Sequence, residues 1–187
     1  GLTTDQITNL TTLQLNSFKT AQLAGLSTKQ IVALTTDQIS NLATTQLAAL
    51  NSKQVASIET DDLQALTTAQ LVAMTTAQVA VFTTDQVVAL TTDQMSNLKT
   101  AQLASLTAKQ VAVIETDDLV SLTTAQLVAL TTAQVAALST DQLQALTTAQ
   151  LGSLKTAQIS ALTTNQVVAM TTDQASNLKT AQIASMT

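Results

Sequence analysis

The stretch Leu66-Thr-Thr-Ala-Gln-Leu-Val-Ala73 is the template of an eight-residue repeat that fills the whole chain. Its opening apolar residue returns every eight residues from Leu2 to Met186, which gives 23 complete octads. A second apolar residue follows five places later, as at Ile7, and Ala175 is the only small residue at this place. Self-similarity at a fixed period is typical of repeat architectures.

The spacing of the apolar residues predicts that the chain changes direction once in every octad. Successive apolar residues are alternately five and three apart, whereas a strand needs a spacing of two and a long helix needs spacings of three and four. In one continuous helix an octad would turn by about 800°, so the apolar stripe would wind around the rod. No single partner surface could cover such a stripe. We therefore expect one short helix per octad.

The polar residues of the octad predict where each helix begins. Thr3-Thr-Asp-Gln6 fits a capping box, in which Thr3 caps the amide of Gln6 and the Gln6 side chain reaches back. Leu2 and Ile7 would then form the hydrophobic staple across the cap. Where a poor cap such as Lys19 stands in the place of Thr3, we expect the following Thr to be the cap. Each helix should end near the next apolar residue, after about six residues.

A helix of this length is unstable alone, because nucleation is unfavourable and few hydrogen bonds follow it. Stacking of neighbours is therefore required, and it predicts an all-α solenoid, a superhelix of very short helices with one helix per octad. We expect the apolar residues inside and Thr, Gln, Lys and Asp outside. Residues 1–187 are predicted to be a single continuous domain of about 23 octads. Solenoids normally end in atypical polar caps, and the first and last octads here follow the ordinary repeat. We therefore expect the sequence to be an excerpt of a longer array.

Two longer echoes run through the array. Residues 37–42 return with one change as residues 93–98, which is 56 residues or seven octads later. Residues 84–89 return with one change as residues 164–169, which is 80 residues or ten octads later. Seven and ten share no factor, so we interpret both echoes as block duplications. They do not predict how many octads make one coil.

Composition excludes several classes of function. The net charge is −5, all seven basic residues are Lys, and Phe18 and Phe82 are the only aromatic residues. Nucleic-acid binding uses basic stripes and stacking aromatics, so we predict no nucleic-acid partner. No apolar run approaches the 18 or more residues of a membrane span, so we predict no membrane insertion. The chain has no His and no Cys, so we predict neither an enzyme nor a cofactor, and a small-molecule substrate is not expected.

One acidic motif is a candidate metal site. Glu59-Thr-Asp-Asp62 and its copy Glu115-Thr-Asp-Asp118 place three carboxylates in four residues, which could coordinate Ca²⁺. The candidate ligands are Glu59, Asp61, Asp62, Glu115, Asp117 and Asp118. The alternative is that acidic residues favour a helix N-terminus, with Asp62 and Asp118 replacing the capping Gln. No Gly turn or EF-hand spacing supports a metal, so we prefer the alternative and predict no metal.

The octads also resemble a known repeat class. Phe82-Thr-Thr-Asp-Gln-Val-Val-Ala-Leu90 and Met95-Ser-Asn-Leu-Lys-Thr-Ala-Gln-Leu103 look like the "LTTAQ"-type octapeptide arrays of long bacterial proteins. The resemblance covers all 187 residues, implies a surface or secreted protein, and transfers no functional residue. The octad also resembles the first helix of the repeat in TAL effectors. Here the period is far shorter and the base-reading loop is missing, which argues against DNA binding.

These observations favour a structural role, as a stalk, spacer or adhesive segment of a larger bacterial surface or secreted protein. A cytoplasmic location is not excluded. The first alternative is a peptide- or protein-binding α-solenoid, and a protein partner or self-association is compatible with the sequence. Its candidate surface is the place directly after the second apolar residue, which varies most in size: Val32, Gln64, Val72, Val88, Val120, Val128, Gln144 and Val168. The second alternative is a Thr-rich β-solenoid with an ice-binding-like surface, although adjacent threonines fit a helix cap better.

Overall fold

The computed structural model describes residues 1–186, and in this part every octad forms one α-helix of four to six residues. The described residues contain no strand, so the predicted all-α class is confirmed and the β-solenoid alternative is wrong. The helices are α1 (Thr4–Thr8), α2 (Thr12–Asn16), α3 (Thr20–Ala24), α4 (Thr28–Val32), α5 (Thr36–Ser40), α6 (Thr44–Ala48), α7 (Ser52–Ala56), α8 (Thr60–Ala65), α9 (Thr68–Ala73), α10 (Thr76–Val79), α11 (Thr84–Ala89), α12 (Thr92–Asn97), α13 (Thr100–Ser105), α14 (Ala108–Val111), α15 (Thr116–Ser121), α16 (Thr124–Ala129), α17 (Thr132–Ala136), α18 (Thr140–Ala145), α19 (Thr148–Ser153), α20 (Thr156–Ser160), α21 (Thr164–Ala169), α22 (Thr172–Ser176) and α23 (Thr180–Ala184).

Helix α9 shows how each helix begins and ends. Thr67 has extended backbone angles of φ −67° and ψ 155°, and its side chain accepts a hydrogen bond from the amide of Gln70. At the other end Met74 returns to an extended conformation, with φ −64° and ψ 146°. The amide of Met74 donates to the carbonyl of Leu71 at 3.1 Å, which tightens the last turn. The change of direction therefore falls between the opening apolar residue and the Thr pair, as the spacing predicts.

The two apolar places of the octad form the core. At the second place, Leu71 and its equivalents from Ile7 to Ile159 are 0–1% exposed. The opening residues from Leu34 to Leu154 are nearly as well buried, with 2–4% exposed. Each such burial stabilises the fold by about 1.5–3 kcal/mol. Each one-turn helix is thus stabilised by packing of its apolar side chains against residues of other octads.

The chain forms two compact units, residues 1–98 and residues 99–187, and each is built from coils of the same size. In the first unit α1 packs on α4, α5 on α8 and α9 on α12. In the second unit α13 packs on α16, α16 on α19 and α18 on α21. Each helix therefore packs three octads away within its unit. The solenoid of short helices is confirmed, and the single continuous domain stays a prediction.

Candidate functional site

Most helices begin with a complete capping box. In α11 the side-chain oxygen of Thr83 accepts from the amide of Gln86 at 3.1 Å, and Oε1 of Gln86 accepts from the amide of Thr83 at 2.9 Å. The two residues thereby satisfy amides that a helix start leaves without an internal partner. The cap predicted from the Thr–Gln spacing is confirmed.

Helices preceded by Lys or Ala keep only half of this box. In α20 the cap residue is Lys155, which makes no side-chain cap, while Oε1 of Gln158 still accepts from the Lys155 amide at 2.8 Å. A Lys side chain has no acceptor, so it cannot do the work of Thr. Lys155 remains the N-cap and Thr156 is the first residue of the helix, so the expectation that the following Thr becomes the cap is wrong.

The same Gln side chain also joins one coil to the previous one. Oε1 of Gln38 accepts from the amide of Thr35 at 2.8 Å, while its Nε2 donates to the carbonyls of Ile7 at 2.9 Å and Leu10 at 2.7 Å. Gln38 is only 3% exposed. The buried side-chain amide is therefore satisfied at both its oxygen and its nitrogen: the oxygen bonds within its own octad, and the nitrogen bonds to backbone carbonyls 31 and 28 residues earlier.

This arrangement repeats at a constant interval and is called here the glutamine ladder. In each case Nε2 donates to the carbonyl 28 residues earlier at 2.6–3.0 Å. Its members include Gln30, Gln38, Gln46, Gln54, Gln70, Gln78, Gln86 and Gln94 in the first unit, and Gln134, Gln142, Gln150, Gln158, Gln166, Gln174 and Gln182 in the second. Since helices pack three octads away and the Gln side chains reach carbonyls 28 and 31 residues earlier, one coil in each unit takes between three and four octads.

The glutamine ladder corrects the predicted division of inside and outside. The octad pattern predicts Gln on the outer surface with Thr, Lys and Asp, but every Gln at this place from Gln38 to Gln182 is buried. Gln6, Gln14 and Gln22 are exposed, because no coil within residues 1–186 lies before them to supply carbonyls, and Gln30 is half-buried. The burial of Gln thus follows from the carbonyls of the preceding coil. A signal was available in the sequence, since Glu would serve the capping box equally well and never stands at this place.

Asp62 is a buried carboxylate at one of the two places where the repeat lacks Gln. It is 3% exposed, and its Oδ1 accepts from Oγ1 of Thr36 at 2.8 Å. Its Oδ2 is buried and has no hydrogen-bond partner. Helix α8, whose N-cap is Glu59, has no capping box. The interpretation that Asp62 replaces Gln in the cap is therefore wrong, and α15, which contains Asp118, also lacks the box.

The surroundings of Asp62 oppose its ionisation. Burial raises the pKa of its carboxyl above the ordinary value of 3.8, and the hydrogen bond from Thr36 acts in the opposite direction. The negative charges of Glu59 and Asp61 raise the pKa further. Burying a charge without full pairing costs free energy, so the ionised form of the Asp62 carboxyl is unfavourable in the fold.

The structure does not bring the candidate calcium ligands together. Asp62 and Asp118 are buried, whereas Glu59, Asp61, Glu115 and Asp117 are exposed. Among residues 1–186 no group of three or more acidic, His or Cys side chains is placed to hold a metal ion. The three carboxylates of each motif therefore do not converge as Ca²⁺ would require.

The place after the second apolar residue lies on the outside of the coils. Val32 and Val88 are 42% and 41% exposed, and Val168 is 78% exposed. Gln64 and Gln144 are also exposed, and Gln144 donates to the carbonyl of Ala169 at 2.7 Å. The remaining candidates, Val72, Val120 and Val128, are half-buried. The structure thus places the predicted variable positions on a surface that a partner could reach.

Comparisons with known proteins agree with the periodicity. No helix in the described part of the chain is long and apolar enough to cross a membrane. The ALTTAQ repeat family matches at residues 12–44, 55–92, 111–148 and 144–180, which is well over half of the chain. A search of curated proteins finds no match.

Proposed function

Because the chain belongs to the ALTTAQ repeat family, we propose that it is a structural scaffold, serving as a stalk, spacer or adhesive segment of a larger bacterial surface or secreted protein. The observation that carries the proposal is the use made of the polar side chains. Gln, the commonest long polar residue of the octad, lies inside the fold, where its side chain bonds each coil to the previous one. A scaffold needs such internal connections, and it needs no reactive group.

The arrangement suits a spacer because identical connections recur with each octad. Solenoid stability is a sum of repeat and nearest-neighbour contributions, so octads can be added without redesign of the core. Charged residues make up 10% of the chain, and all except the buried Asp62 and Asp118 lie on exposed places of the octad, such as Asp85 and Lys109. They keep the outside soluble while the glutamine ladder and the two apolar rows hold the coils together.

Small-angle scattering tests the spacer role. The 56-residue block of residues 37–92 is inserted a second time, after residue 92, which adds seven octads in register. We expect the maximum dimension of the particle to rise by a constant amount for each block inserted, with an unchanged helical signal per residue in circular dichroism. A maximum dimension that stays constant as blocks are added would contradict a spacer.

The location is tested on intact bacterial cells that carry the parent protein. A Lys-directed protease applied outside the cells should release peptides bounded by Lys99, Lys109 and Lys155, while a cytosolic marker protein stays intact. Release of these peptides only after lysis would contradict a surface role. Recovery from the culture medium would indicate the secreted form of the proposal.

Binding of a peptide or protein is the second candidate function, and the exposure of Val32, Val88 and Val168 favours it. The isolated array is immobilised beside a triple variant in which these valines are replaced by Ser. A binding module should retain a partner that the variant loses. A spacer should retain nothing that distinguishes the two chains.

A further inference from the structure

Asp62 stands where the glutamine ladder needs a donor. The octads before and after it obey the register, since Gln54 donates to Leu26 at 2.7 Å and Gln70 to Leu42 at 2.7 Å, each 28 residues earlier. The same register directs the Asp62 side chain to the carbonyl of Leu34. The bond of 2.8 Å between Asp62 Oδ1 and Thr36 Oγ1, two residues after Leu34, fixes the carboxylate at this place.

The carbonyls at this place meet an acceptor instead of a donor. Ladder amides also reach the carbonyls 31 and 30 residues earlier, as Gln54 does to Leu23 at 2.8 Å and Ala24 at 3.3 Å. For Asp62 these are the carbonyls of Ile31 and Val32. An ionised Asp offers only acceptor oxygens, so it cannot take the part of the Gln amide. The buried oxygen Oδ2 of Asp62 has no hydrogen-bond partner, and the register of the ladder leads us to expect it to face these carbonyls.

The shorter side chain of Asp62 leaves room for an ion between its carboxylate oxygen and the facing backbone carbonyl oxygens. Asp is one methylene shorter than Gln, which moves its terminal atom back by roughly 1.5 Å. Added to a ladder bond of 2.7 Å, as between Gln70 and Leu42, this places Oδ2 roughly 4 Å from the facing carbonyls. Oxygens at such a distance do not contact each other directly, and one small cation can touch both.

We propose that Asp62 Oδ2 and the backbone carbonyls of Leu34, Val32 and Ile31 bind an alkali-metal cation, Na⁺ or K⁺, that replaces the Gln amide of the ladder. Charge selects the monovalent class, because one buried carboxylate neutralises one positive charge while carbonyls contribute only dipoles. Glu59 and Asp61 are exposed and do not join the cluster, whereas Ca²⁺ is usually bound by several carboxylates. The bound cation also relieves the cost of burying the Asp62 charge.

The site is tested by thermal unfolding at pH 7.5 in the chlorides of sodium, potassium and tetramethylammonium at equal ionic strength. Asp118 is changed to Gln in every chain, so that only one acidic place of the ladder remains. We expect Na⁺ or K⁺ to raise the Tm by about 2–4 °C above the tetramethylammonium value, because binding to the folded state alone stabilises it. In D62N, which brings its own donor, this rise should vanish. D61N changes the net charge equally at an exposed place and should keep it.

Each other outcome overturns the proposal. Equal Tm values in the three salts, or an equal rise in D62N, would exclude an alkali cation at Asp62. A rise with Ca²⁺ alone would indicate a divalent site at the exposed acids, and a Tm that depends only on pH would indicate a protonated Asp62. ²³Na relaxation in the D118Q chain provides a readout that needs no Asp62 variant to fold. We expect line broadening that K⁺ reverses by competition, and unbroadened lines would also exclude the site.

Discussion

The side chain of Gln54 lies between two main-chain partners that belong to different coils. Its Oε1 accepts from the amide of Asn51 at 2.8 Å, and its Nε2 donates to the carbonyl of Leu26 at 2.7 Å. No other natural side chain of this length has both an acceptor and a donor on one planar group. This pair of bonds explains why the octad uses Gln where Glu would be an equally good cap.

We predict that replacing the ladder amide by a carboxylate destabilises the array only where the amide is buried. In Q86E the cap to Thr83 can persist. The Gln86 Nε2, which donates to the carbonyls of Val55 at 2.9 Å and Ile58 at 2.8 Å in the parent chain, is replaced by an acceptor oxygen. The free energy of unfolding should fall by about 3 kcal/mol at pH 7. The matched control is Q14E, at an exposed Gln, with a change below about 0.5 kcal/mol. Urea denaturation followed by circular dichroism measures both, and equal losses would contradict the ladder.

Completion of a half-made cap should stabilise the fold. Lys155 makes no side-chain cap, so K155T should add a hydrogen bond to the amide of Gln158 and raise the free energy of unfolding by about 0.5–1 kcal/mol. K155A is the control, with a gain of only a few tenths of a kcal/mol from removing a cation near a helix start. Thermal unfolding distinguishes the two variants. If K155A matched K155T, the gain would come from charge and the predicted cap would be wrong.

Truncation of the core should cost most at the second apolar place of a covered coil. Leu151 is fully buried, so L151A should lower the free energy of unfolding by about 2–5 kcal/mol. Ile183 holds the same place of the octad but is 50% exposed, and I183A should cost about 1 kcal/mol or less. Denaturant titration of both variants gives the comparison. Similar costs would show that burial by the following octads does not determine the stability.

The stability of the first unit should fall as the pH rises through the titration of Asp62. Its pKa is raised in the folded state above the ordinary value of 3.8, mainly by burial. A raised folded pKa means that the contribution of Asp62 is fully present below pH 3.8 and is lost as the pH rises through the higher, folded value. The difference in Tm between D62N and the parent chain should therefore grow over this interval, with tetramethylammonium as the only added cation.

D61N serves as the control for this pH profile, because Asp61 carries the same charge at an exposed place. Its Tm should stay parallel to that of the parent chain as the pH rises. A D62N profile that also stays parallel would show that burial does not oppose the ionisation of Asp62.

The helix per octad could be predicted because it follows from local rules. Apolar residues spaced five and three apart exclude a rod and a strand, and the Thr3–Gln6 spacing predicts the cap that the structure contains. The fold class needs only these two facts, since a one-turn helix must stack to persist. Nothing in such rules requires knowledge of which octads become neighbours in space.

The interior position of Gln and the size of the coil could not be predicted in the same way. Both depend on which carbonyls lie next to Nε2 of residues such as Gln38. That in turn depends on how many residues separate one coil from the next. The repeat gives no marker of this distance, because every octad is nearly the same. The structure shows a step of 28 residues, and the 56-residue echo of the sequence equals two such steps. The role of the buried Asp62 could not be predicted for the same reason, since its partner Thr36 belongs to another coil.

The reach of the ladder amides determines how the folding problem grows with chain length. Every ladder bond closes a loop of 28–31 residues, from Gln38 to Ile7 at the start of the array and from Gln174 to Leu143 near its end. The mean sequence separation of these contacts is thus independent of the number of octads, and so is the entropy lost on closing each loop. A protein assembled in this manner can become very long while the conformational search for each new piece stays that of a small one.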